Sequence, residues 1–258
     1  MCGSWVSSLV ENGTALLNSN FSAALFGAGF GALGASYFTR RAEANADKIK
    51  EIRWCNVGVI SCASICTACL GLKYQHISSL KSNFERLAEE HETIKNSIEP
   101  KGQFNILADY RDIPRLQVNS TPLLEAATNS SISSKSFLMA ETLKQSIEQL
   151  EELILKHSTL MAEFRQVTQV DQEAAAAKYL GFSHGNIIDT RYRDILNGIA
   201  DNLDCCIFFS SELVKSFNKR GIEVRGKSNK LPTIRNVTFD PAKLPDPTTF
   251  GDWSEKLL

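Results

Sequence analysis

The stretch from Trp54 to Ile98 constrains this chain most. Its first part, VGVISCASICTACLGL from Val57 to Leu72, carries no charge. No Gly or Pro follows Gly71 before the pattern turns amphipathic. From there Ile77, Leu80, Phe84, Leu87, His91, Ile94 and Ile98 recur at alternating steps of three and four. Such steps line one side of an α-helix. One continuous helix that leaves a membrane and becomes a strand of a helical bundle accommodates both halves.

A second apolar run lies upstream. FSAALFGAGFGALGASYF, residues 21 to 38, holds eighteen residues without a charge, close to the ~20 that a spanning helix needs. Its glycines weaken a helix in water by roughly 1 kcal/mol each. In lipid, small residues let helix backbones approach closely. Gly27, Gly31 and Ala35 fall at four-residue spacing and form a ridge for helix packing. Gly58, Cys62 and Cys66 give the later run a similar small-residue face. The two runs, joined by Thr39 to Asn56 with five basic and three acidic residues, predict a transmembrane hairpin over residues 21 to 74.

Orientation is contested within the sequence itself. Basic residues favour the cytoplasmic side, which places the connecting segment with Arg40, Arg41, Lys48, Lys50 and Arg53 inside and both ends of the chain outside. The vicinal pair Cys205–Cys206 and the basic tail favour a cytoplasmic location for the remainder. The second argument is preferred, giving a two-span protein of the bacterial inner membrane with its soluble region inside. Seven cysteines, three of them within one apolar run, make a poor disulfide framework and point the same way.

Residues 75 to 220 read as a bundle with a linker at 101 to 135, bounded by Pro100 and carrying Pro114, Pro122 and a polar run from Thr128 to Ser134. A long helix is expected from Ser136 to Tyr179. Its seam is Ala140, Leu143, Ile147, Leu150, Ile154, His157, Met161 and Phe164, a coiled-coil spacing. GFSHGN, from Gly181 to Asn186, stops it. Another helix is expected from Ile188 to Lys219, ended by Gly221. Seam residues expected to carry the bundle are Leu80, Phe84, Leu87, His91, Ile147, Leu150, Ile154 and His157. The two histidines stand where aliphatic residues are usual. Residues 1 to 20 form a polar N-terminal segment, and residues 221 to 258 a basic, then Pro-rich tail. The tail is read either as a docking peptide anchored by Phe250 and Trp253 or as a strap over the bundle.

No constellation for catalysis emerges. Ser183-His184-Gly185 lacks a strained nucleophile turn, and Cys66-x-x-Cys69 lies in an apolar run without a second ligand pair. No cofactor or metal is expected, and the chain is read as no enzyme. Lys219, Arg220, Arg225, Lys227, Lys230 and Arg235 form a basic cluster that could contact phosphates of lipid or nucleic acid, or simply be solvated.

The fold expected is therefore all-α: a membrane hairpin, a helical bundle or coiled coil, and an extended tail, assembling as a homo-oligomer. Hairpin 21 to 72 followed by a helical sensor resembles the two-transmembrane effectors of bacterial anti-phage defence systems, including those paired with retrons. The resemblance implies an antiviral-defence toxin that depolarises the membrane, held silent by a nucleoprotein partner that contacts the tail. The other reading is a membrane-tethered scaffold or assembly subunit with no pore activity.

Overall fold

The computed structural model describes residues 20–95, 108–168, 171–183 and 188–251. Among them the chain is helical, with no strand. The helices are α1 (Asn20–Leu72), α2 (Ser78–Lys95), α3 (Thr121–Asn129), α4 (Ser134–Thr168), α5 (Gln172–Leu180) and α6 (Arg191–Arg225). A π-turn, Lys73–Ile77, joins α1 to α2, and two 3-10 turns, Pro241–Lys243 and Pro247–Phe250, punctuate the tail. Two compact units result, Met1–Lys50 and Glu51–Leu258.

The expected hairpin is not what forms. Thr39 to Asn56 is helical throughout and α1 passes through both apolar runs without a turn. The reason is local: residues 39 to 56 contain neither Gly nor Pro, and a turn there would leave backbone groups on both sides without partners.

The second unit is a bundle built on α4 and α6. All eight residues of the α4 seam, from Ala140 to Phe164, are buried. On α6 the buried face runs through Tyr192, Leu196, Ile199, Leu203, Cys206, Leu213 and Phe217. Ile188 precedes this helix and is exposed. The second apolar run packs here as well: Val59, Cys62, Ile65, Cys66, Cys69 and Leu72 are buried in the same core. The stripe then takes a five-residue step to Ile77 before resuming at Leu80, Phe84 and Leu87. An α-helix advances about 3.6 residues per turn, so an α-helical continuation would bring His76, not Ile77, to the core. The π-turn supplies the extra residue. The Ser78 amide donates to the Lys73 carbonyl, and the Ser78 hydroxyl donates to the same oxygen at 3.0 Å.

Three boundaries differ from expectation. The long helix stops at Thr168, and α5 begins afresh after Asp171, whose carboxylate caps it by accepting from the Ala174 amide at 2.9 Å. Gly181 ends α5 in the left-handed conformation, φ 77°, as a C-terminal glycine does. Gly221 does not end α6. It is buried within the helix, and Gly226, φ 55°, terminates it. Part of the presumed linker is core: Ile113, Leu116, Leu123, Ala126 and Ala127 are buried, and α3 closes over the bundle. Pro100 and Ile98 lie outside the described residues.

Candidate functional site

Within the first unit, apolar side chains are left uncovered. Phe30, Leu33, Tyr37 and Phe38 are between 60% and 73% exposed. Each would contribute about 1.5–3 kcal/mol if removed from water. Gly31 and Ala35 are exposed too, and a methyl group placed on Gly31 or Gly34 would meet nothing within 4 Å. Gly27 lies in the same helix. Arg40 and Arg41 follow directly.

The second apolar run behaves oppositely. A Cβ on Gly58 would lie 2.6 Å from the Phe217 ring, so the missing side chain admits α6. The Cys66 thiol points at the Ile207 carbonyl, 3.9 Å away. Gly58, Cys62 and Cys66 therefore serve packing, but their neighbours are bundle residues. The packing role expected for them has α6 as its partner rather than the earlier apolar run: an apolar small-residue helix suits a protein core as well as a bilayer, and α6 supplies a matching surface. By length and composition the continuous helical segment Phe30–Lys95 could cross a membrane; its most apolar stretch is the later run, which is partly buried within the bundle.

Deeper in the bundle lies an aromatic and histidine cluster. Leu80, Phe84 and Leu87 of α2 are buried, and Phe84 reaches the cluster. Tyr179 and Tyr192 are stacked at 4.3 Å, and their hydroxyls are 3.3 Å apart. Phe84, Phe164 and Tyr110 surround them. His157 is fully buried beside Tyr192, and neither ring nitrogen has a hydrogen-bond partner among the described residues. Burial pushes its pKa down to about 4; Asp112 and Asp109 pull the other way, and Arg165 reinforces the fall. His91, in contrast, is half-buried and stacks on Phe182 at 4.3 Å. One edge of the bundle is pinned by ions: the Arg191 guanidinium pairs with Glu163 at 2.9 Å and Asp189 at 2.7 Å, and Lys178 reaches Glu163 at 3.1 Å. Arg191 holds the carboxyls of both acids below their usual range. Beside this edge a surface groove of about 620 Å³ is lined by Leu155, Thr159, Glu163, Arg191, Asp194 and Ile195.

The basic residues do not act as one group. Arg220 is taken by Glu51 at 2.7 Å. The Arg225 Nε is buried without a hydrogen-bond partner among the described residues. Lys219, Lys227 and Lys230 are exposed. Arg235 has an exposed side chain, but its backbone amide donates to Asn56 at 2.7 Å.

The tail is the strap. Val237, Phe239, Leu244 and Phe250 pack half-buried against the core. Phe250 stacks face to face on Phe208, 4.2 Å between centroids and 6° between planes. Ile234 fills the space left by Gly221: its Cδ1 lies 2.7 Å from where a Cβ would stand. Sequence reasoning missed Asn56, Gly221 and Phe208 as the receiving residues. Only the mid-helix glycine carried a signal, and its position near the helix end disguised it. Trp253 lies outside the described residues. No group of three or more potential metal ligands gathers among the described residues.

Comparison with family models, with curated proteins and with solved structures finds no match.

Proposed function

We propose that this chain is a single-span membrane protein without catalytic activity, whose helical bundle binds a partner and whose apolar N-terminal helix crosses the bilayer and self-associates. The observation that carries this reading is the contrast between the two apolar runs. The later one is clothed by α6, while Phe30, Leu33, Tyr37 and Phe38 of the earlier one are bare. A bare apolar helix is stable in lipid or against copies of itself. With one span, the conflict over orientation disappears. Arg40, Arg41, Lys48, Lys50 and Arg53 then lie on the same side as the bundle, and the residues before Phe21, which contain no Lys or Arg, lie on the other. The positive-inside rule then makes the bundle cytoplasmic. In a bacterium this is the inner membrane.

Gly27, Gly31 and Ala35 favour a second step. A ridge of small residues on an uncovered helix is a self-association surface in lipid, and an assembled ring of such helices would perturb the membrane when a protein or nucleoprotein partner acts on the bundle. A plain tether would use the same helix as an anchor only. Expression in cells loaded with a membrane-potential dye separates them. For the effector, the full chain depolarises the cells and the Gly27→Leu, Gly31→Leu variant does not. If polarisation is unchanged at high expression while the protein still co-sediments with membranes, the tether is correct. If the protein stays in the supernatant, the membrane reading itself fails.

A further inference from the structure

The strap is held in an unusual way. The Asn56 side chain grips the main chain of the tail on both sides of one residue. Its Nδ2 donates to the Thr233 carbonyl at 3.0 Å, and its Oδ1 accepts from the Arg235 amide at 2.7 Å. A neighbouring β-strand would offer an extended peptide the same pair of bonds. Between the two bonded groups, Ile234 drops onto Gly221. Further along, the Tyr74 hydroxyl donates to the Lys243 carbonyl at 3.2 Å, and Phe250 lies flat on Phe208. Every one of these contacts comes from a single stretch, residues 233 to 250. No residue in that stretch is fully buried; Val237, Phe239, Leu244 and Phe250 cover the edge of the core from outside, so departure uncovers that edge and not the interior between α4 and α6. The stretch before it gives the chain room to turn elsewhere: Gly226 has φ 55°, and Lys227 to Lys230 are exposed.

We propose that the surface that receives the tail through Asn56, Tyr74, Gly221 and Phe208 is an exchangeable peptide seat. Residues 233 to 250 occupy it in cis in an isolated chain. When copies gather in the membrane, the same residues of a neighbouring copy occupy it in trans and tie the bundles together. The seat reads main chain, one aliphatic residue and one aromatic ring, and a second copy presents them all identically. Confinement to a bilayer raises the local concentration of that ligand, the condition under which exchange overtakes the cis arrangement. The proposal uses the self-association argued above only to bring copies together.

The test uses two full-length variants with different tags. In one, Ile234→Asp and Phe250→Ala leave the seat open but the tail unable to enter. In the other, Asn56→Ala and Gly221→Leu block the seat but leave the tail intact. Association through the membrane helix is common to every sample. Exchange predicts that the co-expressed pair co-purifies about tenfold more than either variant with itself. Equal recovery in all three overturns it. A peptide of residues 229 to 251, added to the Ile234→Asp, Phe250→Ala protein in detergent, gives a measurement independent of self-association. Saturable binding that Ile234→Asp in the peptide abolishes is expected, and absence of binding overturns the seat itself. The folding of each variant is checked by its helical circular dichroism.

Discussion

His157 is the residue at which the bundle meets pH. Its ring is buried with both nitrogens unpaired among the described residues, and its pKa falls to about 4. The neutral form is thus the one the fold accepts. Above pH 6.5 the ring is neutral whether the chain is folded or not, and it costs nothing. Below that, the unfolded chain takes up a proton that the folded chain refuses. Stability therefore falls as pH drops from about 6.5 to about 4, by about 3 kcal/mol in all. Chemical denaturation of the wild type and of His157→Leu at pH 7.5 and at pH 4.5 reads this directly. The variant should lose less stability over that interval by about 2–3 kcal/mol; parallel losses would show that His157 does not set the acid limb.

At the scale of elements, the π-turn is the device that keeps one seam in register. Leu72 and Ile77 are five residues apart and both are buried, while Gln75 between them is exposed. Removing Gln75 converts that five-residue step to four, which an ordinary α-helix satisfies. Deletion of Gln75 should therefore leave a folded bundle, with a thermal midpoint shifted by a few degrees, about 1 kcal/mol. Deletion of the exposed Glu85 rotates everything after it by about 100° against the seam, and loss of the cooperative thermal transition is expected. If both deletions unfold the protein alike, the turn has a role beyond register.

The same element shows what sequence patterning makes legible. The α4 seam and the seam from Ile77 to Leu87 were readable because repeated steps of three and four have one structural meaning. The second apolar run was not, because Val57 to Leu72 suits lipid and a protein core equally, and its packing against α6 carries no signal in the run itself. Gly221 was misplaced for a related reason: a glycine near a helix end usually terminates it, and the one here is required by Ile234, which lies thirteen positions later. Seating of the tail depended on Asn56, which belongs to a distant part of the chain and carries no periodic signal.

For the molecule as a whole, the number of spans is the decisive quantity. One span places the residues before Phe21 and the tail on opposite faces of a membrane; two spans place them on the same face. A membrane-impermeant maleimide applied to intact cells should label Cys2, and should label a Ser228→Cys site only after permeabilisation. Ser228 is suited to this because it is exposed in the connection leaving α6, whereas Cys55, Cys62, Cys66, Cys69 and Cys206 are buried. Equal accessibility of the two sites in intact cells would restore the two-span arrangement and require Val57 to Leu72 to leave the core.

The grip of Asn56 has an evolutionary corollary. A side chain that recognises only carbonyl and amide groups is indifferent to what Thr233 and Arg235 carry. Related chains should therefore drift freely at 233 and 235 while holding 56, 221 and 234 together as a unit. Substitution of Asn56 by Asp would break that unit even though the shape is kept, since a carboxylate still accepts from the Arg235 amide but has nothing to donate to the Thr233 carbonyl.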